Sequence, residues 1–417
     1  MSKGILMPTT APQVSGHRFL LRRIEHGLVM GDVRMIHDPL GRRRRALVFG
    51  AVACSLVAVG ALALALFRPA VDPGEAALIR ADSGALFVRL DSGVHPVSNL
   101  ASARLALGEA LEPVAASDSV IAGMERGVPV GLADAPAIID PAPRPAAPWR
   151  ACQDVDSGEL HVVAGGAQAP RLGEGEALLG ASRSGDGGID EHLITATGRT
   201  ALPAADSEQG RIIRRNLEIT PATPRLHIQP DMLNTVPELP AFSLPDPLPE
   251  VIGADSRAWI GADGAIAPIT AVQHGILLDA GAPWREEPRR ALGGYPEADG
   301  SWLRLPSAVP RWMPVAGTTV CSDGEGISLG GALPAGVELS GRSAARSFHT
   351  DAAGAVGVDS GHGYHVVADT GLIHPVPDTG SLSALGIEVL QQAPWSILRL
   401  LPVGSPLSAE TARTPMY

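Results

Sequence analysis

The uncharged stretch from Ala46 to Phe67 constrains this chain more than any other part of its sequence. Its 22 residues, ALVFGAVACSLVAVGALALALF, lie between Arg42–Arg45 and Arg68. At about 1.5 Å per residue, a helix of this length spans about 33 Å, which matches the hydrocarbon core of a bilayer. A helix buried in a soluble protein seldom stays apolar on every side for about six turns. The sequence therefore predicts one transmembrane helix with its boundaries at Ala46 and Phe67.

The charge on either side of this helix predicts its orientation. Residues 1–45 hold nine Lys or Arg against three acids, a net charge of +6, whereas residues 68–417 hold 24 against 41, a net charge of −17. Because positively charged flanks stay in the cytoplasm, we expect a cytoplasmic N-terminus and a periplasmic C-terminal bulk on the inner membrane. A cleaved signal peptide is the alternative, since Ala61-Leu62-Ala63 resembles a cleavage tripeptide. That tripeptide lies inside the apolar run, and the leader is too long, which favours a signal anchor.

Composition favours a β-rich fold for the part that follows the membrane helix. The chain has 48 Gly and 37 Pro in 417 residues, which is typical of many turns and short strands rather than long helices. We therefore predict an α+β protein, with one transmembrane helix and a β-rich periplasmic region. The acidic exterior also argues against a nucleic-acid partner, since such binding needs a basic face.

Two of the three cysteines can form a disulfide. Cys54 lies inside the predicted span, where it is a small apolar residue. Cys152 and Cys321 both fall in the oxidising compartment, where disulfides persist. The sequence favours a bridge between Cys152 and Cys321, and the alternative is two separate buried thiols.

The segment before the membrane helix predicts an amphipathic helix pair. Leu20, Leu21, Ile24 and Leu28 recur at helical spacing, with Ser15 as a candidate N-cap. A second short helix is predicted from Asp32 through residue 36. An apolar stripe on so small a helix has no core of its own to cover. We expect the four apolar residues to dock on a protein partner, and the membrane interface is the alternative.

A pattern of strand, glycine turn, proline and short helix occurs four times beyond the membrane. Glycine supplies the positive φ of a tight hairpin, and proline ends the second strand because it cannot donate to the ladder. Four such units predict a repeat architecture, and chance similarity is the alternative in so glycine-rich a chain. The turns and the helical segments that follow them are Leu90–Pro96 with Ser98–Leu107, Ile194–Pro203 with Asp206–Leu217, Trp259–Pro268 with Thr270–Asp279, and Val366–Pro375 with Leu382–Leu390.

Two proline-rich connectors, Pro141–Pro148 and Pro237–Pro249, divide the outer region. If Cys152 bonds Cys321, both cysteines belong to one central domain, with repeats before, within and after it. The predicted boundaries are 1–45 for the cytosolic helical segment and 46–67 for the membrane helix. They continue with 68–140 for the first repeat and stalk, 141–348 for the central domain with the second and third repeats, and 349–417 for the fourth repeat and tail.

The sequence contains no convincing catalytic, metal or cofactor site. A phosphate-binding P-loop needs a lysine, and the only lysine is Lys3. A GxSxG run around Ser328 matches the nucleophile elbow of hydrolases, but the glycines and Pro334 around it favour a chance loop over a strand-to-helix turn. His349, His362, His365 and His374 could hold a metal, but ordinary turn and hydrogen-bonding roles are favoured. Four turn aspartates could serve glycosidic chemistry, and turn formation is again favoured, at Asp91, Asp156, Asp263 and Asp369.

Several segments resemble the EccB family, the single-span core component of type VII (ESX) secretion systems. The matching segments are Val14–Arg23 (VSGHRFLLRR), Asp32–Met35, His37–Pro39, Asp82–Leu86, His95–Val97, Asn99–Leu105 (NLASARL), Arg126-Gly127, Trp149–Cys152 (WRAC), Pro394–Leu398 (PWSIL) and Leu400–Pro402. They extend over nearly the whole chain and are most specific within residues 8–152. One departure is Gly27, where the family usually has a helix former.

The resemblance implies a structural subunit that anchors and assembles the periplasmic part of a secretion complex. Its implied partners are the EccC-type motor ATPase, EccD, EccE and further copies of the chain itself, with no cofactor. It also implies a central domain flanked by four repeats and pinned by one disulfide. The family is often catalogued as an ATPase, so an ATPase remains an alternative, although this sequence has no nucleotide motif. A cell-wall (peptidoglycan) binding module is a further alternative.

Overall fold

The computed structural model describes residues 10–34, 39–66, 70–185, 187–331, 333 and 336–417. The chain divides into two units, Met1–Ala70 and Val71–Tyr417. The first holds two helices, α1 (Ala11–Met30) and α2 (Pro39–Leu66). Thr10 is the N-cap of α1, and its N–H donates to the Gln13 side chain at 2.9 Å, so the helix begins earlier than the predicted cap at Ser15.

Helix α1 ends at Gly31, whose φ of 69° is the left-handed conformation that stops a helix. The predicted second helix from Asp32 is not formed over residues 32–34, where the Asp32 carboxylate accepts a hydrogen bond from the Arg34 N–H. Its remaining residues lie outside the described part of the chain. A hydrogen bond from an Asp side chain to a nearby backbone N–H competes with helix formation, which explains why the predicted helix does not begin at Asp32.

Helix α2 contains the predicted span. It begins at Pro39, ahead of Ala46, and its segment Gly41–Leu64 is long and apolar enough to cross a membrane. The predicted boundary at Phe67 lies outside the described residues. The four arginines before Ala46 therefore belong to the same continuous helix as the apolar run.

The second unit begins with the first repeat and the start of a central sheet. In chain order its elements are β1 (Leu78–Ala81), β2 (Leu86–Leu90), β3 (Gly93–Val97), α3 (Leu100–Leu107), β4 (Val114–Ala116), α4 (Asp118–Ala122), β5 (Trp149–Asp154) and β6 (Leu160–Ala164).

The second and third repeats follow, and one short strand comes after them. Their elements are β7 (Glu176–Arg183), β8 (Ile189–Thr195), β9 (Gly198–Ala201), α5 (Glu208–Asn216), β10 (Arg225–His227), α6 (Pro230–Leu233), β11 (Glu250–Ala254), β12 (Arg257–Ala262), β13 (Ala265–Ile269), α7 (Ala271–Asp279), β14 (Trp284–Glu286), α8 (Arg289–Leu292) and β15 (Arg311–Trp312).

The rest of the central sheet precedes the fourth repeat. These elements are β16 (Thr319–Ser322), β17 (Ile327–Leu329), β18 (Val337–Glu338), β19 (Ser347–Thr350), β20 (Val356–Asp359), β21 (Tyr364–Val367), β22 (Ile373–Val376), α9 (Thr379–Leu385), β23 (Leu390–Gln392), α10 (Trp395–Leu398) and α11 (Ala409–Ala412).

The four repeats share one topology. Their strand orders are β3-β2-β1-β4, β9-β8-β7-β10, β13-β12-β11-β14 and β22-β21-β20-β23. In each, three antiparallel strands are followed by a helix, and the fourth strand returns parallel to the first. The parallel return requires a crossover connection, which the helix supplies. The α+β, β-rich fold class is thus confirmed, and each unit has four strands where its sequence pattern predicted two.

Equivalent residues build the turns and helix starts of all four repeats. The hairpin glycines Gly93, Gly198, Gly264 and Gly371 all have positive φ, as the sequence pattern predicts. Each repeat helix begins after a polar N-cap whose side chain accepts from a backbone N–H three residues on, at Asn99, Ser207, Thr270 and Asp378. The fourth helix is shorter than predicted, because Gly386 ends it in the left-handed conformation and Leu390 belongs to β23.

A short segment after each fourth strand closes the third-strand edge of its repeat. The bridges are Val97 with Val130, Arg199 with Glu238, Ile266 with Glu297 and Ile373 with Val403, all parallel. Covering this edge leaves fewer unpaired backbone groups for unwanted strand pairing. The repeat unit is therefore a sheet, a crossover helix and a returning segment.

The repeats pack in pairs around the central sheet, whose order is β17-β16-β5-β6-β19-β18. The largest apolar cluster joins this sheet to the second and fourth repeats through residues such as Phe348, Leu178 and Val358. A second cluster joins the second repeat to the third, and another joins the first to the fourth. The first repeat therefore packs on the fourth, and the third packs on the second. The fourth and second repeats both pack on the central sheet.

Candidate functional site

The apolar residues predicted to dock on a partner share one side of α1. At about 100° per residue, Leu20, Ile24, Leu28 and Leu21 fall within a sector of about 100°. Their exposed fractions are 55%, 58%, 82% and 47%, and no residue of α1 is buried. Exposed aliphatic side chains that share one side of a helix form a candidate contact surface. The docking role of these four residues stays a prediction.

The sulfurs of Cys152 and Cys321 are bonded to each other in the structure. The two cysteines face one another across β5 and β16, where they form a direct antiparallel pair. Both are buried, and they pack with Val163. The bond joins positions 169 residues apart, so it links the first and second halves of the central sheet across the inserted second and third repeats.

Ser328 of the GxSxG run lies in strand β17, not in the loop that the sequence favoured. It is paired with Cys321 across the ladder, and its hydroxyl points to the Cys321 carbonyl oxygen at 3.5 Å. A nucleophile elbow needs an exposed serine at a strand-to-helix turn. Ser328 is instead buried within the central sheet.

The four clustered histidines occupy separate structural positions. His349 lies on β19, His365 on β21 stacks against Trp395, and His374 on β22 contacts the Ser405 carbonyl oxygen through Nδ1 at 2.9 Å. His362 lies in the intervening turn. Within the described ranges, no group of three or more His, Cys, Asp or Glu is placed to hold a metal ion.

A different histidine pair meets across the central sheet. The Ser347 hydroxyl lies 2.7 Å from Nδ1 of His161 and 2.7 Å from Nε2 of His349. Burial, with a smaller contribution from the neighbouring His349, lowers the pKa of His161. The pair therefore favours the neutral imidazole at His161 and holds β6 and β19 together through one hydroxyl.

The turn aspartates show no paired-carboxylate geometry. Asp263 sits in the β12–β13 turn with a φ of 51°, a conformation that Asp tolerates better than most residues. Asp156 accepts a hydrogen bond from the Gly317 N–H at 3.3 Å. Asp91 and Asp369 lie in the turns before β3 and β22. Backbone bonding accounts for Asp156, and turn conformation accounts for Asp263.

A cavity of about 520 Å³ lies between the first and fourth repeats. Its walls are mostly aliphatic, with Ile138, Ile139 and Ile387 among them. Among the described residues of its lining, the arginine is Arg104, which already donates to the carbonyl oxygens of Leu111 and Leu385 and to the Glu112 carboxylate. An arginine with these partners fastens α3 to the end of α9 and has little capacity left for a phosphate.

The C-terminal tail joins the same two repeats, a contact that the sequence did not reveal. The Met416 N–H donates to the Pro129 carbonyl oxygen, and Nε of Arg413 donates to the Ala106 carbonyl oxygen. Asp134 accepts from the Ser405 N–H at 2.8 Å. Burial alone would raise the pKa of Asp134, but the hydrogen bonds from Ser405 outweigh it and lower the pKa.

The chain matches the family described as type VII secretion system ESX-1, transport TM domain B, over residues 6–266 and 333–416. Residues 267–332, which include α7, β14, α8 and the strands β15 to β17, lie outside that match. The match therefore extends over parts of both units.

Curated relatives include EccB proteins of three ESX systems. The ESX-1 secretion system ATPase EccB1 of Mycobacterium tuberculosis H37Rv is 27% identical over 461 aligned positions, covering 97% of this chain and 94% of the relative. The EccB1 protein of Mycolicibacterium smegmatis MKD8 is 30% identical, covering 66% of this chain and 59% of the relative. The ESX-5 protein EccB5 of M. tuberculosis H37Rv is 40% identical over 149 residues, or 35% of this chain and 29% of the relative.

Two solved structures have the same fold. A chain of the intact ESX-5 inner membrane complex aligns with a TM-score of 0.67 at 25% identity, covering 100% of this chain and 97% of that chain. The EccB3 dimer from the ESX-3 core complex aligns with a TM-score of 0.67 at 21% identity, covering 81% and 100%. By the extent of the family match, the chain belongs to the EccB family of type VII secretion membrane proteins.

Proposed function

We propose that this chain is a single-span structural subunit of a type VII (ESX) secretion complex in the inner membrane. Its role is to anchor the complex through α2 and to assemble the periplasmic part through the four-repeat region. The observation that carries this proposal is the family match over both the membrane helix and most of the outer unit. Similarity to a subunit of an intact ESX-5 inner membrane complex supports it.

The proposed orientation places α1 in the cytoplasm and residues 68–417 in the periplasm. It follows from the net charge of +6 before the span and −17 after it. The Cys152–Cys321 bond is consistent with an oxidising compartment for the outer unit. The domain boundaries 1–45, 46–67, 68–140, 141–348 and 349–417 belong to this proposal as well.

Cysteine labelling tests the orientation directly. Ala11 and Ala222 are exposed, so each accepts cysteine without repacking a core, and both variants are made in a Cys54→Ala background. A membrane-impermeant maleimide applied to spheroplasts should label Ala222→Cys and leave Ala11→Cys unlabelled until the membrane is permeabilised. Labelling of Ala11→Cys in sealed spheroplasts, with Ala222→Cys protected, contradicts the orientation.

The cytosolic helix is proposed to dock on a protein partner, the EccC-type motor ATPase, with EccD, EccE and further copies of this chain as the other members of the complex. The docking surface is the aliphatic side formed by Leu20, Leu21, Ile24 and Leu28. Burying one such side chain contributes roughly 1.5–3 kcal/mol, so two aspartates in this surface remove several kcal/mol of binding free energy.

A matched pair of double variants tests this docking. Leu21→Asp with Ile24→Asp adds two charges to the aliphatic side, while Ser15→Asp with Val29→Asp adds two charges to the opposite side of α1. Only the first variant should reduce recovery of the motor protein after affinity purification from detergent-solubilised membranes. Equal recovery for both variants contradicts docking through this surface. Equal loss for both indicates that added charge alone disrupts the contact.

Nucleotide hydrolysis is assigned to the motor partner in this proposal, although the relatives carry the word ATPase in their names. In the described part of this chain, the arginine that lines the cavity is committed to three acceptors. Purified full-length chain, freed of the motor protein, should show no ATP turnover above that of a mock purification. Turnover that copurifies with this chain at constant specific activity contradicts the assignment.

A further inference from the structure

The arginines Arg42–Arg45 form a ring of positive charge on α2. They lie in one uninterrupted helix that runs from Pro39 to Leu66. Successive residues are about 100° apart and rise about 1.5 Å, so the four side chains cover about 300° of the circumference within a length of about 5 Å along the helix axis. All four are exposed. We call this set the arginine collar.

No described carboxylate neutralises the arginine collar. The sequence of α2 contains no Asp or Glu. Every ion pair found among the described residues involves arginines from residue 89 onward. Four uncompensated guanidinium groups therefore face outward from one end of the helix. With no acidic partner among the described residues, these four groups are accessible to an anionic ligand.

The collar lies directly beside the membrane-spanning surface. Ala46 follows Arg45 without a break, and the exposed apolar side chains Leu47, Val48 and Phe49 come next. This placement sets the guanidinium groups at the depth of lipid phosphates once the apolar run occupies the hydrocarbon core. Guanidinium forks bind phosphate oxygens in pairs, which a lysine ammonium does not do.

We propose that the arginine collar is a binding site for the phosphate groups of anionic phospholipids. The occupant is a set of lipids in the leaflet beside Arg42–Arg45, whichever side of the membrane that leaflet faces. At an anionic surface, each arginine favours association by about fivefold, so four arginines hold a shell of anionic lipid around one end of α2. This inference goes beyond membership in a secretion complex and does not depend on the orientation proposed above.

Lipid selectivity of the full-length chain tests the proposal. The protein is reconstituted in phosphatidylcholine nanodiscs, and spin-labelled phosphatidylglycerol is compared with spin-labelled phosphatidylcholine in the motionally restricted shell. Wild type should favour the anionic label severalfold. The variant with Gln at all four collar positions should show a ratio near one. A charge-matched control replaces four exposed arginines of the outer unit with Gln and should behave as wild type, at Arg257, Arg289, Arg290 and Arg342.

Two further measurements, one of salt dependence and one of competition by inorganic phosphate, complete the test. If the glutamine variant does not reconstitute, wild type is measured at low and high salt, because a preference based on charge weakens as the Debye length falls. A preference unchanged by salt, or a glutamine variant with wild-type selectivity, overturns the proposal. Inorganic phosphate is compared with chloride at equal ionic strength. Loss of the lipid preference in phosphate alone would assign the collar to a free anion and would also overturn the proposal.

Discussion

Removing the Cys152–Cys321 bond should destabilise the outer unit by an amount that the structure allows us to estimate. The bond closes a loop of 169 residues. In the chain-entropy treatment, a loop of that length corresponds to about 5 kcal/mol at 25 °C, and measured losses for native bridges are about 2–5 kcal/mol. Residual structure in the reduced, unfolded chain lowers the value toward the smaller figure.

Reduction and mutation separate two contributions to this loss. Reductant opens the bond but leaves both sulfurs in place, whereas Cys152→Ala with Cys321→Ala also removes two buried sulfurs beside Val163. Each buried sulfur contributes roughly 1 kcal/mol of packing. The double variant should therefore be less stable than reduced wild type, and reductant should not change the stability of the double variant.

Denaturant unfolding of the full chain in detergent, with and without reductant, measures these differences. Cys54→Ala supplies the matched control, because Cys54 lies on the exposed surface of α2 and forms no bond. This control should lose stability on reduction to the same extent as wild type. If wild type and the double variant unfold at the same denaturant concentration in the absence of reductant, the bond does not stabilise the outer unit and the reasoning is refuted.

Two further predictions concern stability. Asn99→Ala and Asp378→Ala should each lower the unfolding free energy of the outer unit by about 1 kcal/mol, because each removes an N-cap acceptor. Asp378→Asn, which keeps the oxygen that accepts from the Ser381 N–H, should not. Burial lowers the pKa of His161, His192 and His365, so the unfolded state binds more protons than the native state below about pH 6.5. The unfolding free energy should therefore decrease as pH falls through that range, and a rise would contradict these assignments.

Local signals in the sequence were sufficient for the membrane helix and for the repeat turns. A long uncharged run has few alternatives to a spanning helix, and Gly93, Gly198, Gly264 and Gly371 sit where the hairpins need positive φ. The repeat helices were predicted from their place after the glycine turn and the proline in each unit. The predicted fourth repeat helix extended too far. The apolar residues after Gly386 continue a helical spacing, but the helix ends at Gly386 and Leu390 belongs to β23.

Pairing between distant segments could not be predicted in the same way. The fourth strand of each repeat is only three residues long, as in Val114–Ala116, and has no period of its own. Its position depends on a parallel partner more than twenty residues earlier. The contact of Arg413 with the first repeat depends similarly on tertiary packing across the whole outer unit. Such long-range contacts carry no local signature in the sequence.

Affinity purification of the tagged full-length chain from native membranes tests the central claim most directly. Solubilised in mild detergent and analysed by native mass spectrometry, the chain should be recovered in one large particle with the motor ATPase and the EccD and EccE membrane components in fixed ratios. More than one copy of this chain should be present in that particle. Recovery of the chain as a free monomer, from membranes in which those other components remain assembled, would contradict its role as a structural subunit of the complex.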